Sequence, residues 1–150
     1  MTGGKLMTTV LSAFPGTGKT FLAANTSDVV LDSDSSSYSW ISKGVRHPDF
    51  PANYISHIQE NLGKANLILV SSHLEVRSAL VAACIPFVLM YPERHLKPEY
   101  LLRYKQRGSS EAFIVLVDTM WNSWIDELES QPSCVHVVLK DGQYVSDTGF

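Results

Sequence analysis

The segment that most constrains this fold is a glycine-rich turn between an apolar run and a helix-like run. It consists of Ala13-Phe14-Pro15-Gly16-Thr17-Gly18-Lys19-Thr20. Residues 6–12 before it are apolar and rich in Thr and Val, as expected of a buried strand, and residues 21–24 after it begin like a helix. Strand, glycine-rich turn and helix in this order are the usual setting of a phosphate-binding loop, or P-loop. We therefore predict an anion site here; an ordinary Gly/Pro turn is the alternative.

The residue types in the turn predict how it binds a nucleotide. Gly16 and Gly18 allow the backbone to curl so that successive N–H groups point at one spot, where the helix N-terminus adds a partial positive charge. Lys19 can then reach the β- and γ-phosphates, and the Thr20 hydroxyl can ligate Mg²⁺. The predicted cofactors are therefore ATP and Mg²⁺, and the predicted ATP-binding residues are Pro15, Gly16, Thr17, Gly18, Lys19 and Thr20.

The composition is typical of one globular domain with no general attraction to nucleic acid or anionic lipid. Of the 150 residues, 45% are hydrophobic and 18% are charged, and the net charge is −3. No apolar run reaches the roughly 18 residues of a membrane span, and the apolar segment near the N-terminus leads directly into the loop, which argues against a signal peptide. Cys84 and Cys134 lack a partner motif, as expected of free thiols in a reducing compartment. We predict a single cytoplasmic domain over residues 1–150. The sequence does not indicate an oligomeric state.

Apolar runs alternate with helix-like segments along the rest of the chain. The predicted strands are residues 6–12, 29–31, 67–70, 86–90 and 135–139. Helices are predicted over residues 19–25, 75–83 and 110–129. A further helix is predicted before Gly63, where apolar residues recur at helical spacing: Tyr54, Ile55, Ile58 and Leu62. Asp141-Gly142 is a turn signal, after which Tyr144 and Val145 are expected to return as a hairpin strand.

Strands that are apolar throughout and separated by helices indicate a parallel sheet with helices on both faces. About five strands fit the length of the chain. In such sheets, ligands gather beyond the carboxyl ends of the strands. This rule brings the P-loop, the acids after the second strand, residues 71–73 and the start of a basic stretch to one rim.

Two acids follow the second strand, Asp32 and Asp34. In extended backbone these positions point the same way, so both carboxylates can face the bound phosphates. One of them can orient or deprotonate an attacking hydroxyl, or hold Mg²⁺ through water. Asp32 is the stronger candidate because it directly follows the strand. The alternative is that either acid caps a turn in the Ser-rich segment.

A basic stretch lies between Tyr91 and Arg107, and we interpret residues 92–109 as a lid. Arg103 and Arg107 are four residues apart and so lie on one helical face. A mobile arm carrying these guanidinium groups over a transferring phosphoryl group would stabilise its charge. The alternative is a solvated helix face.

Residues 35–66 are interpreted as an insert that binds the phosphoryl acceptor. Arg46 in this insert and Arg77 after the third strand can each hold an acceptor phosphate with a bidentate guanidinium, or be ordinary surface residues. The aromatic residues of the insert can stack on a nucleobase, although we favour a small local core: Tyr38, Trp40 and Phe50. On the long helix, Trp121 and Trp124 are expected to pack rather than bind ligand.

With these residues in view, the chain resembles the small P-loop kinases of metabolites and nucleotides, such as adenylate, shikimate and gluconate kinases. It looks most like compact nucleotide kinases of bacteriophages, in its segments 12–40, 45–53 and 71–77. Asp32-Ser33-Asp34 is similar to the Asp-x-Asp after the second strand of shikimate kinases, and Arg103 and Arg107 look like lid arginines. The resemblance implies a P-loop NTPase fold with strand order 2-3-1-4-5. The third strand, however, ends in Ser71 where many P-loop hydrolases have an Asp for Mg²⁺.

The expected function is transfer of the ATP γ-phosphoryl group to a nucleoside monophosphate, with a deoxynucleotide as the favoured acceptor. The expected location is the cytoplasm, which is that of the host if a phage encodes the chain. The catalytic candidates are Lys19, Asp32, Arg103 and Arg107, the substrate-binding candidates are Asp34, Arg46 and Arg77, and the metal ligands are Thr20 and Asp32. One alternative is a kinase of a hydroxyl acceptor, such as a polynucleotide 5′ end, a nucleoside or a sugar acid. A second alternative is a nucleotide-binding module without turnover, because the third strand lacks its Asp.

Overall fold

A computed structural model of the chain describes residues 8–18, 30–32, 40–42, 45–46 and 48–148, with backbone alone at residues 32, 40–42, 45 and 46. The predicted helix over 19–25 lies outside the described residues. So do three of the predicted site residues: Lys19, Thr20 and Asp34.

The described elements alternate between strands and helices for most of the chain. The strands are β1 (Thr9–Ala13), β2 (Val30–Asp32), β3 (Trp40–Ser42), β4 (Val45–Arg46), β5 (Leu67–Ser71), β6 (Val88–Pro92) and β7 (Val135–Leu139). The α-helices are α1 (Ala52–Asn61), α2 (Leu74–Ala82), α3 (Lys97–Gln106) and α4 (Glu111–Glu129). Two short 3₁₀ helices cover Arg94–Leu96 and Val145–Thr148.

Five of the strands form one parallel sheet in the order β2-β5-β1-β6-β7. When these five strands are numbered by their order along the chain, this is the expected order 2-3-1-4-5. Ala13 at the end of the central strand β1 lies beside Ser71 of β5 on one side and Met90 of β6 on the other. Asp32 pairs with Leu69, so β2 ends close to the same rim. The carboxyl ends of these strands therefore meet where the glycine-rich turn begins.

Alternate residues of β1 point to opposite faces of the sheet, as the period of a strand requires. Val10 joins the larger buried cluster, to which all four described α-helices contribute, whereas Leu11 and Ala13 join a smaller cluster on the other face with Val145. The four described α-helices thus lie on one face of the sheet, and the 3₁₀ helix that begins at Val145 lies on the other. Cover of the second face by α-helices stays a prediction, because residues 19–29 lie outside the described part of the chain.

The long helix α4 shows how the pattern of apolar residues decides burial. Its buried side chains are spaced by three or four residues and face the sheet: Val117, Trp121, Ile125 and Leu128. Ser110 begins the helix as its N-cap and accepts a hydrogen bond from the Phe113 N–H through Oγ. Trp121 is 1% exposed and its ring lies 5.5 Å from that of Phe14, which confirms the packing role predicted for it. Trp124 packs against the same cluster.

Two local expectations were wrong or incomplete. Val145 does not return as a hairpin strand but begins the 3₁₀ helix Val145–Thr148, because its N–H donates to Thr17 O and its side chain is buried. The antiparallel pair β3–β4 inside the insert was not predicted.

None of the helices in the described part of the chain combines the length and apolar character needed to cross a membrane.

Candidate functional site

The turn after β1 has the backbone of a curled loop. Gly16 has φ +88° and Gly18 has φ +92°, both in the left-handed region that side chains other than glycine rarely adopt. The two glycines alternate with Thr17, whose Oγ1 donates to Phe14 O at 2.8 Å and closes the turn on itself. The glycines are therefore required by the conformation and not only permitted by it.

Every carbonyl of the loop from Phe14 to Thr17 accepts a hydrogen bond. Thr17 Oγ1 serves the first of them, as above. The other donors come from outside the loop: Tyr104 Oη donates to Pro15 O at 2.7 Å, Arg103 Nη1 to Gly16 O at 2.7 Å, and Val145 N to Thr17 O at 2.8 Å. We refer to Arg103, Tyr104 and Val145 as the loop anchors.

The direction of these carbonyls determines the direction of the amides. In a planar trans peptide the N–H and C=O point to opposite sides. The N–H groups of Gly16, Thr17 and Gly18 therefore point away from the loop anchors, and among the described residues they meet no acceptor. Successive N–H groups on one side of a curled backbone form an anion-binding concavity. Such a concavity can hold the phosphates of a nucleotide.

Helix α3 supports the loop from beneath with buried aromatic rings. A Cβ added at Gly16 would lie 2.8 Å from Tyr104 Cε1 and 3.3 Å from Tyr100 Cδ2. Both tyrosines are fully buried, and burial raises the pKa of Tyr100 to about 12 and that of Tyr104 still further. The two phenols therefore stay neutral at physiological pH, and Tyr104 keeps the proton that it donates to Pro15 O.

The segment after β7 supports the loop from the other side. A Cβ at Gly18 would lie 2.9 Å from Tyr144 Cδ1, so the Tyr144 ring packs directly against the loop. The Arg103 guanidinium lies 3.9 Å from the centre of the Tyr144 ring and 4.4 Å from that of Tyr100, within the range of a cation–π contact. One arginine thus connects α3, the loop and the segment after β7.

Arg103 and Arg107, predicted as a pair, lie in different surroundings. The Arg103 side chain is 9% exposed and is held by Gly16 O, by Glu99 Oε2 at 3.0 Å and by Gln143 O at 3.1 Å. Arg107 is exposed; its Nε donates to Ser109 Oγ, and its guanidinium lies 5.0 Å from the centre of the Tyr104 ring. The segment predicted as a lid contains a helix whose inner face is buried against the loop, rather than a free arm.

Arg77 requires a correction, because it does not offer its guanidinium to a ligand. The side chain is 1% exposed and bonds to Ser72 O, Gln131 Oε1 and Glu127 Oε1. These bonds connect the start of α2 with the end of α4. The predicted contact with an acceptor phosphate would require the arginine to leave this buried network, so we assign Arg77 to the structure of the domain.

The remaining predicted residues are placed by backbone alone or lie outside the described residues. Asp32 is the last residue of β2, and Arg46 in β4 pairs with Trp40 of β3. The side chain of Phe50, predicted either to stack on a base or to form a local core, is half-buried, packs against the main cluster and lies 6.3 Å from the Tyr54 ring. This placement favours the core role.

Ser71 is the described residue that best fits a magnesium–nucleotide complex. It lies beside Ala13, where the glycine-rich turn begins, and its buried Oγ has no hydrogen-bond partner among the described residues. Mg²⁺ usually keeps several of its waters, and a hydroxyl can hold one of them. Of the two predicted ligands, Asp32 is the last residue of β2, the strand beside β5, and Thr20 lies outside the described residues. No group of three His, Cys, Asp or Glu in the described part of the chain could bind a metal by itself.

Four residues that hold the loop were not predicted from the sequence: Glu99, Tyr100, Tyr104 and Tyr144. A signal for α3 was present. Pro98 stands in the first turn of the helix and Tyr100 and Tyr104 are four residues apart, a pattern typical of a helix with one buried face. Tyr144 carries no comparable signal, because its contact with Gly18 joins segments more than a hundred residues apart.

Comparison of the chain with known protein families and with curated proteins finds no match. The functional assignment therefore rests on the geometry of the site itself.

Proposed function

We propose that the protein is an ATP-dependent phosphotransferase that acts on a nucleoside monophosphate. The observation that carries this proposal is the orientation of the loop: its carbonyls are bonded on one side, and the N–H groups of Gly16, Thr17 and Gly18 face the other. A loop of this kind, at the carboxyl end of the central strand of a parallel sheet, can bind the phosphates of a nucleoside triphosphate.

The roles proposed for the other residues follow from the sequence and from their place in the sheet. Lys19 neutralises the β- and γ-phosphates, and Thr20 and Asp32 place the Mg²⁺ that enters with ATP, with Ser71 beside them. Arg107, which follows α3 and is exposed, is proposed to approach the transferred phosphoryl group. Asp34 and Arg46 are proposed to bind the acceptor.

The substitution Lys19→Ala tests this proposal. We expect it to abolish turnover and to leave the melting temperature within about 2 °C of wild type, because the lysine acts on phosphate rather than on the core. Lys105→Ala is the matched control: it removes an exposed cation from α3 and should change neither quantity. Turnover by Lys19→Ala near the wild-type rate would show that the loop is not the catalytic phosphate site.

The acceptor is identified by ADP release measured over a panel of nucleoside monophosphates, nucleosides and sugar acids. Release with monophosphates alone supports the proposal. Release with nucleosides or sugar acids instead would assign Asp32 as a general base for a hydroxyl acceptor, since a phosphate oxygen is already ionised and needs none.

A nucleotide-binding module without turnover is the second candidate. The observation in its favour is Ser71, which places a hydroxyl beside Ala13 where many P-loop hydrolases have a carboxylate. If the protein has this function, we expect ATP to bind with the same affinity whether or not an acceptor from the panel is present. No ADP should be released with any of them.

A further inference from the structure

Arg103 makes its contacts with the loop backbone rather than with the space that a phosphate would fill. Its Nη1 donates to Gly16 O at 2.7 Å and its Nη2 to Gln143 O at 3.1 Å. With 9% of the side chain exposed and both terminal nitrogens bonded, the guanidinium is fixed on the carbonyl side of the loop. An arginine that approaches a transferring phosphoryl group must lie on the amide side.

The peptide between Gly16 and Thr17 is the one that this contact orients. Its oxygen is held by Arg103, so its N–H, on Thr17, points into the anion-binding concavity. The next carbonyl, Thr17 O, is held by Val145 N, which in the same way turns the Gly18 N–H inward. Two neighbouring amides of the concavity are thus oriented by two residues far from the loop in sequence.

Arg103 and the segment after β7 are held to each other as well as to the loop. Glu99 accepts from Arg103 Nη2 at 3.0 Å and from Gly142 N at 3.1 Å, so it bridges α3 and the turn after β7. Tyr144 places its ring against the Arg103 guanidinium and against Gly18. The two supports of the loop are therefore joined to each other by direct contacts.

We propose that Arg103 is a positioning residue, which keeps the amides of Thr17 and Gly18 directed at bound phosphate, and that residues 141–145 act with it through Glu99. This inference rests on the proposed phosphate site and replaces the direct catalytic contact that the sequence suggested for Arg103. The phosphates it serves are those that the loop holds in substrate and product alike, not the transferred group alone.

The test compares Arg103→Ala and Arg103→Lys with Lys105→Ala, an exposed cation on the same helix, as the matched control. The first measurement is the backbone amide ¹H–¹⁵N shifts of Gly16, Thr17 and Gly18 without ligand. The second is the dissociation constant for inorganic tripolyphosphate, for ADP and for ATP. The third is kcat with the best acceptor of the panel.

For Arg103→Ala we expect the amide signals of Thr17 and Gly18 to shift and the affinities for tripolyphosphate, ADP and ATP to fall by the same factor, about 10-fold for one lost charge-assisted hydrogen bond. Arg103→Lys should not restore them, because a single ammonium lacks the fork that reaches Gly16 O and Gln143 O together. Lys105→Ala should match wild type in every measurement.

The proposal is overturned if Arg103→Ala keeps the wild-type amide shifts and ADP affinity while kcat falls, which is the behaviour of a group that touches the transferred phosphoryl. Full restoration by Arg103→Lys also overturns it, since charge alone would then suffice. If Arg103→Ala does not melt cooperatively, Glu99→Gln decides: it keeps the arginine but removes the ion pair, and a two- to threefold loss of tripolyphosphate and ADP affinity is expected, whereas no loss refutes the role.

The amide shifts separate this proposal from the proposed function. Shifted amides in Arg103→Ala, together with a wild-type protein that binds neither tripolyphosphate nor ATP, would support the positioning role and reject the phosphate site. Unshifted amides in Arg103→Ala, together with a wild-type protein that binds ATP tightly, would support the phosphate site and reject the positioning role.

Discussion

Gly16→Ala is the substitution for which the structure predicts the largest effect in the loop. The new Cβ would lie 2.8 Å from Tyr104 Cε1 and 3.3 Å from Tyr100 Cδ2. Neither ring has room to move, because both tyrosines are fully buried and the Tyr104 hydroxyl is bonded to Pro15 O. Alanine at φ +88° adds a backbone penalty to this clash.

The magnitude has two parts. A left-handed residue other than glycine costs about 1–2 kcal/mol, and overpacking of a filled site costs about 1–3 kcal/mol. We therefore expect Gly16→Ala to lower the free energy of unfolding by about 2–5 kcal/mol. The matched control is Gly108→Ala: Gly108 has φ +80° and nothing within 4 Å of its added Cβ, so only the backbone penalty applies there.

The assay is urea unfolding of both variants, followed by the fluorescence of the buried Trp121. The excess loss of Gly16→Ala over Gly108→Ala isolates the clash with the α3 rings and should be about 1–3 kcal/mol. When both glycine variants are also made in a Tyr104→Leu background, which removes the nearest ring atom, the excess should be smaller. Equal losses for the two glycine variants would refute the claim that α3 presses on the loop.

Three further predictions concern the domain around the site. Arg77→Ala should lower the free energy of unfolding by about 3 kcal/mol, because it leaves buried acceptors without a donor, and should leave the KM for the phosphoryl acceptor unchanged. Arg94→Ala is the control: it breaks only water-exposed ion pairs and hydrogen bonds to α4 and should lose far less in the same urea titration. A raised KM for the phosphoryl acceptor in Arg77→Ala would restore the binding role predicted for Arg77. Stability should fall as the pH rises above 10, since Tyr100 ionises near its ordinary pKa of 10.0 when unfolded but only at about 12 when folded, so that the unfolded state releases its proton first. Tyr100→Phe should reduce this slope by about 1.4 kcal/mol per pH unit between pH 10 and 12; an unchanged slope in urea titrations at these pH values would show that Tyr100 is not buried as described.

The order of elements and the position of the loop follow from the sequence. Continuous apolar strands, helical spacing in α1 and α4 and the glycine-rich turn after β1 are local patterns, and each one reports directly on burial or on backbone conformation. The predicted strand over residues 135–139 and the helix over 110–129 agree with β7 and α4 to within one residue. The five-stranded parallel sheet was also confirmed, in the order that the resemblance to small P-loop kinases implied.

The partners of the charged and aromatic side chains at the loop were decided by the tertiary structure alone. Arg103 and Arg107 have the same chemistry and lie one turn apart, yet one is held by Gly16 O and the other is exposed. Arg77 was equally ambiguous until its bonds to α4 were known. Periodicity tells which face of a helix is buried, but not which distant segment covers it. That depends on how α3 and the segment after β7 pack around the end of β1, where contacts join residues that no local pattern relates.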